Sequence, residues 1–121
     1  MTQVFLHVGM PKCASSTIQG YFHKFDRRNL KSGFLYPRTG RSERGYFSHA
    51  PIVRMTSDEL RDLVHKIKIE SAGAQVVFIS TEQIVNAYWD RSITRDLIRE
   101  LNLAFDASNV RLLFLFRNHF S

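Results

Sequence analysis

In 121 residues there are one cysteine, three prolines, one tryptophan and six glycines. The solitary Cys13 has no internal partner, so no disulfide framework staples this fold and no oxidising compartment is required. Scattered as Pro11, Pro37 and Pro51, the prolines exclude a collagenous or low-complexity chain. Nowhere do eighteen apolar residues run together, which argues against a membrane-spanning helix. The opening residues, Met1 to His7, are too short and polar a stretch for a signal peptide, and the expectation is a soluble, cytoplasmic protein. No block of like charge forms a tail, and aromatic and basic residues do not interleave as on a single-strand nucleic-acid platform, so no nucleic-acid partner is expected. The five histidines, His7, His23, His49, His65 and His119, show no ligand spacing, and no metal is expected.

What the chain does have is apolar material and positive charge. Hydrophobic residues make up 44%, enough for a globular core in one domain spanning residues 1–121. Seventeen basic residues against eleven acidic give a net charge of +6, suited to an anionic ligand.

Apolar runs and helical patterns alternate. Val4 to Val8 is short, apolar and β-branched, closed by Gly9 and Pro11, and reads as a buried strand. From Ser16, the residues Ile18, Tyr21, Phe22, Phe25 and Leu30 follow helical spacing towards a C-terminal cap at Gly33. Phe34-Leu35-Tyr36 before Pro37 reads as an edge strand, because proline cannot continue a central ladder. Residues 37–51 form a long loop whose Arg38, Arg41, Arg44 and His49 suit a substrate-facing role. Thr56-Ser57-Asp58-Glu59 has the form of a capping box, and Leu60, Leu63, Val64 and Ile67 then share one helical face up to Gly73. Val76 to Ile79 is a second buried strand. A third helix runs from about Thr94, and Val110 to Phe116 reads as a strand buried on both faces. Strands alternating with helices imply α/β architecture with a mostly parallel sheet and right-handed crossovers.

One stretch carries the chemistry: Gly9-Met10-Pro11-Lys12-Cys13-Ala14-Ser15-Ser16-Thr17, between the first strand and the first helix. A strand that turns into a helix start directs backbone N–H groups outward, and the helix dipole adds partial positive charge. Lys12 adds a full charge, and Ser15, Ser16 and Thr17 add hydroxyl donors, the equipment to hold phosphate or sulfate. The spacing excludes two named alternatives. A nucleotide-triphosphatase P-loop has Gly-Lys where this chain has Ala14-Ser15. A cysteine phosphatase has arginine six places after its nucleophile, where this chain has Gln19.

The form that remains, Pro-Lys-x-small-Ser/Thr-Ser/Thr-Thr, resembles the loop of the sulfotransferase family, which binds the 5′-phosphosulfate end of 3′-phosphoadenosine-5′-phosphosulfate (PAPS). The resemblance extends from Val4 to Arg117, through Gly33-Phe34-Leu35-Tyr36-Pro37. It implies a three-layer α/β/α, P-loop-like fold. It further implies that Pro11, Lys12, Cys13, Ala14, Ser15, Ser16 and Thr17 cradle PAPS, with Lys12 on the transferred sulfuryl group. Arg117, closing the last strand in Phe116-Arg117-Asn118, would hold the 3′-phosphate, a task suited to a guanidinium fork.

A base must take the proton of the acceptor hydroxyl or amine. Glu82, just past the second apolar strand, ranks first, and His49 is the rival by virtue of its unperturbed pKa. His7 reads as structural. The alternative function is a phosphate- or nucleotide-binding module without transferase activity, or a fragment of a longer enzyme. The cover expected for the last strand is either a partner subunit, such as a second copy of the chain, or the remainder of a longer enzyme.

Overall fold

The computed structural model describes residues 2–7, 19, 22–42, 48–81 and 91–113. Four strands, β1 (Gln3–His7), β2 (Phe34–Leu35), β3 (Val76–Ser80) and β4 (Val110–Leu113), form one sheet in the order β2-β3-β1-β4. Every pairing is parallel, with Val4 opposite both Val77 and Val110, and Leu35 opposite Val77. Three helices are described: α1 (Asp26–Lys31), α2 (Ser57–Glu70) and α3 (Arg91–Phe105). The chain is thus α/β with a parallel sheet, as the alternation of apolar runs requires.

Strand alternation divides the side chains between the two faces of the sheet. Val4, Leu6, Leu35, Val77 and Ile79 join Leu60, Leu63, Val64 and Ile67 of α2 and Leu97, Leu101 and Phe105 of α3 in one core. Each fully buried Leu, Ile or Val here is worth about 1.5–3 kcal/mol. On the opposite face Phe22 meets Phe34, Phe78 and Tyr36 at ring-centroid separations of 4.9, 5.0 and 5.6 Å. Chain leaving β1 therefore packs on one face, and α3, which follows β3, packs on the other. Adjacent parallel strands whose connections part to opposite faces open a crevice beyond their carboxyl ends. Here those strands are β1 and β3.

Three departures from the sequence pattern have physical causes. The first helical pattern is not one described helix, for Phe25 is a turn and the N-cap of α1. Gly33, at φ +84°, follows the C-cap Ser32 in the left-handed conformation glycine adopts without strain. The long loop runs at its end into a 3-10 turn, Ala50–Arg54, with Pro51 in its first turn. Finally β4 is not buried on both faces: among the described strands it stands at the edge of the sheet, with Arg111 exposed and Leu112 45% exposed. Arrangement in the sheet, which an apolar run does not encode, decides that. Among the described strands β2 also stands at an edge, as the sequence implies.

At the start of α2, the Thr56 hydroxyl accepts from Glu59 N–H at 3.2 Å, and the Glu59 carboxylate accepts from Thr56 N–H at 3.1 Å. This reciprocal cap satisfies two helix-end donors. The Thr56→Ala variant is expected to lose about 1 kcal/mol, read as a lower urea midpoint at unchanged m; an unchanged midpoint would contradict the cap's role.

Candidate functional site

At the carboxyl ends of β1 and β3 four segments meet: the last residue of β1, His7; residues Ser80 and Thr81 closing β3; Gln19 from the connection after β1; and His49 from the long loop. All five residues are buried. Backbone contacts set the frame. Thr81 N–H donates to the His7 carbonyl at 2.9 Å, extending the parallel ladder, and His49 N–H donates to the Ser80 carbonyl at 2.7 Å.

Two histidines flank Ser80 in different ways. Ser80 N–H donates to His49 Nδ1 at 3.1 Å, and His49 Nε2 lies 2.8 Å from the Pro37 carbonyl. A carbonyl only accepts, so Nε2 carries the proton; an amide N–H only donates, so Nδ1 keeps its lone pair. These partners fix one neutral tautomer. Burial is the main force lowering the His49 pKa to about 4, with the Arg41 charge acting in the same direction and the Pro37 bond opposing. With no exposed surface and both nitrogens engaged by backbone, His49 offers no lone pair to a substrate. It clamps the loop to β3.

His7 turns to the Ser80 side chain, with Nδ1 and Oγ 2.8 Å apart, while Gln19 Nε2 donates to the same Oγ at 2.6 Å. Burial lowers the His7 pKa as well. His7 also stacks on Phe78 at 5.8 Å, the ring that meets Phe22. The polar cluster thus stands directly on the aromatic side of the sheet.

Arg41 organises the loop internally. Its guanidinium lies 4.5 Å over the Tyr36 ring, donates to the Pro37 carbonyl at 3.1 Å and to the Tyr36 carbonyl, and reaches His23 Nδ1 at 3.2 Å. Tyr36 in turn meets His49 edge-on at 5.0 Å. Gly40, at φ +77°, comes so close to Leu63 that a Cβ there would lie 2.5 Å from its Cδ1. Glu70 closes the other end of the segment by accepting from Arg38 N–H, Thr39 N–H and the Thr39 hydroxyl. Arg27 and Arg38 line a nearby pocket of about 300 Å³ floored by Leu30, Leu35 and Tyr36.

Of the residues proposed for catalysis or for holding PAPS, His49 alone is described; His7 and the loop arginines Arg38 and Arg41, also noted in the sequence, are described as well. Lys12 with the rest of residues 11–17, Glu82 and Arg117 lie outside the described residues, as does Arg44 of the loop. Sequence reasoning passed over Gln19 and assigned no task to Ser80, the oxygen on which His7 and Gln19 meet. The available signal was a polar residue at the last inward-facing position of each apolar strand, His7 in β1 and Ser80 in β3.

Among the described residues no group of three or more His, Cys, Asp or Glu side chains is placed to hold a metal ion. Among them, too, no helix is long and apolar enough to cross a membrane. Comparison of the chain with protein-family models, curated proteins and solved structures finds no match.

Proposed function

We propose that this protein is a PAPS-dependent sulfotransferase, moving a sulfuryl group to a hydroxyl or amine of a carbohydrate, lipid or small-molecule acceptor. The observation that carries the reading is the Pro11-Lys12-Cys13-Ala14-Ser15-Ser16-Thr17 sequence following β1, the strand that β3 and β4 flank on either side. Lys12 and Glu82 follow the adjacent strands β1 and β3, and Arg117 follows β4 on the far side of β1. Sequence connectivity thus supports one shared crevice, at the place where open parallel sheets bind ligands. The finer fold reading, a three-layer, P-loop-like domain working in the cytoplasm, belongs to this proposal, as does a second copy of the chain against β4.

In this mechanism the acceptor oxygen or nitrogen attacks sulfur in line, the bond to the bridging oxygen breaks, and adenosine 3′,5′-bisphosphate leaves. Lys12 neutralises charge growing on the bridging oxygen, and the N–H groups and hydroxyls of residues 11–17 hold the 5′-phosphate. Arg117 takes the 3′-phosphate, and Glu82 takes the acceptor proton. His49, clamped to backbone at both nitrogens, supports the wall of the crevice instead of moving a proton.

The test is incubation with sulfur-labelled PAPS and a panel of alcohols and amines. Label in an acceptor, with release of adenosine 3′,5′-bisphosphate, supports transfer. Nucleotide binding without label transfer to any acceptor is the signature of the alternative, a phosphate-binding module. Neither binding nor transfer defeats both.

A further inference from the structure

Between α1, the end of β2 and the end of α2 lies a pocket of about 300 Å³ whose described lining is Arg27, Leu30, Leu35, Tyr36, Arg38 and Glu70. Arg27 and Leu30 are three residues apart on α1 and so share a helix face. Gly33 N–H donates to the Leu30 carbonyl at 2.9 Å, and this turn leads α1 into β2, so that Leu30 and Leu35 line one floor. Tyr36 completes the floor, its ring held by Phe22 at 5.6 Å and by His49 at 5.0 Å. Arg38 is anchored at the rim, where its N–H donates to Glu70 Oε2 at 2.7 Å.

The charges around this floor select the ligand. The Glu70 carboxylate is engaged by the chain itself: Oε2 accepts from Arg38 N–H, and Oε1 from Thr39 N–H at 3.2 Å and the Thr39 hydroxyl at 2.8 Å. Three donors take up most of its lone pairs, which makes it a poor partner for an incoming ammonium. Arg27 and Arg38 are exposed residues whose guanidiniums stay charged and can only donate. A guanidinium fork matches an oxyanion. Its apolar floor takes hydrocarbon, and the combination of a concave apolar surface with a few polar groups is the usual form of a small-molecule site. Size follows from volume. An apolar cavity of about 150 Å³ holds a benzene ring, so this pocket has room for a ring and a head group.

We infer that the pocket binds a small amphipathic anion, with one carboxylate or sulfate-ester head at Arg27 and Arg38 and an aromatic or short aliphatic body on Leu30, Leu35 and Tyr36. In the sheet β3 separates β2 from β1, the strand that leads into the proposed PAPS loop. The inference therefore stands independently of the sulfuryl-transfer reading.

Calorimetric titration of the full chain with phenylacetate, phenyl sulfate, benzyl alcohol and benzylammonium tests this, with amide chemical shifts locating each probe. At least one anion is expected to bind about tenfold or more tightly than benzyl alcohol, the margin of a hydrogen bond to a charged group, and to shift the amides of Leu30, Leu35 and Tyr36. The tighter anion identifies the head group. Arg27→Ala, a change at an exposed position, should weaken that anion by about tenfold and leave benzyl alcohol unaffected, and Arg27→Lys should recover part of the loss. Adenosine 3′,5′-bisphosphate should not displace the anion. Displacement, with binding lost in Lys12→Ala, would put the probe in the anion loop and overturn the inference while leaving the transferase reading intact. Benzyl alcohol or benzylammonium binding as tightly as the anions, undiminished anion binding in a folded Arg27→Ala variant, or no binding of either anion would also overturn it.

Discussion

Replacing His49 with leucine is expected to destabilise the fold by roughly 2–6 kcal/mol, because two buried backbone groups lose their partners at about 1–3 kcal/mol each. Leucine fills a similar volume, so the loss reports the Ser80 N–H and Pro37 carbonyl, not a cavity. The same clamp makes stability depend on acidity. His49 titrates near pH 4 in the folded chain, against an ordinary value of 6.5 when unfolded. Between those values the unfolded chain binds the extra proton. Stability from the neutral imidazole is thus complete above about pH 6.5 and drains away as pH falls towards 4, by roughly 3 kcal/mol in all. His7, also lowered by burial, acts in the same direction. Urea unfolding of wild type and His49→Leu from pH 7.5 to 4.5 isolates the effect, since the other titrating groups cancel in the difference. The gap between the two proteins should shrink steadily on acidification. A gap below 1 kcal/mol at neutral pH, or one independent of pH, would remove His49 from its structural role.

The second large effect is kinetic. Under the proposed mechanism, Lys12→Ala loses on the order of a hundredfold or more in turnover, the cost typical of removing one group that stabilises developing charge. The loss should fall mainly on kcat, since the hydroxyls and N–H groups of the loop still hold the 5′-phosphate, and interactions made chiefly in the transition state do not show in KM. Steady-state assays with PAPS as the varied substrate read this directly. Undiminished turnover in the variant would exclude Lys12 from the chemistry.

Local rules carried much of the fold. The capping box of Thr56 and Glu59 formed as its spacing demands, and the face of Leu60, Leu63, Val64 and Ile67 is buried. Pro37 marks β2 as an edge strand, since proline cannot continue a central ladder. What escaped is what depends on long-range partners. Nothing near His49 in sequence announces that Ser80, 31 residues away, will donate to it, so a loop histidine looked like a base and is a clamp. Arg41 looked ready for a substrate, yet it finds the Tyr36 ring and loop carbonyls of its own segment. Strand order likewise cannot be read from apolar runs, which is why β4 seemed buried on both faces. The loop from Pro11 to Thr17 lies outside the described residues, and its anion-binding role is proposed from residue types alone.

The central claim is a site for a nucleotide carrying both 3′ and 5′ acidic groups, and calorimetric titration with adenosine 3′,5′-bisphosphate tests it most directly. AMP and ATP serve as comparison ligands, and Lys12→Ala and Arg117→Ala as variants. The account predicts that the wild-type chain prefers the 3′,5′-bisphosphate over AMP and ATP and that both variants weaken that preference. A well-folded wild-type chain that binds none of the three, or binds all three alike with Arg117→Ala unchanged, would contradict it.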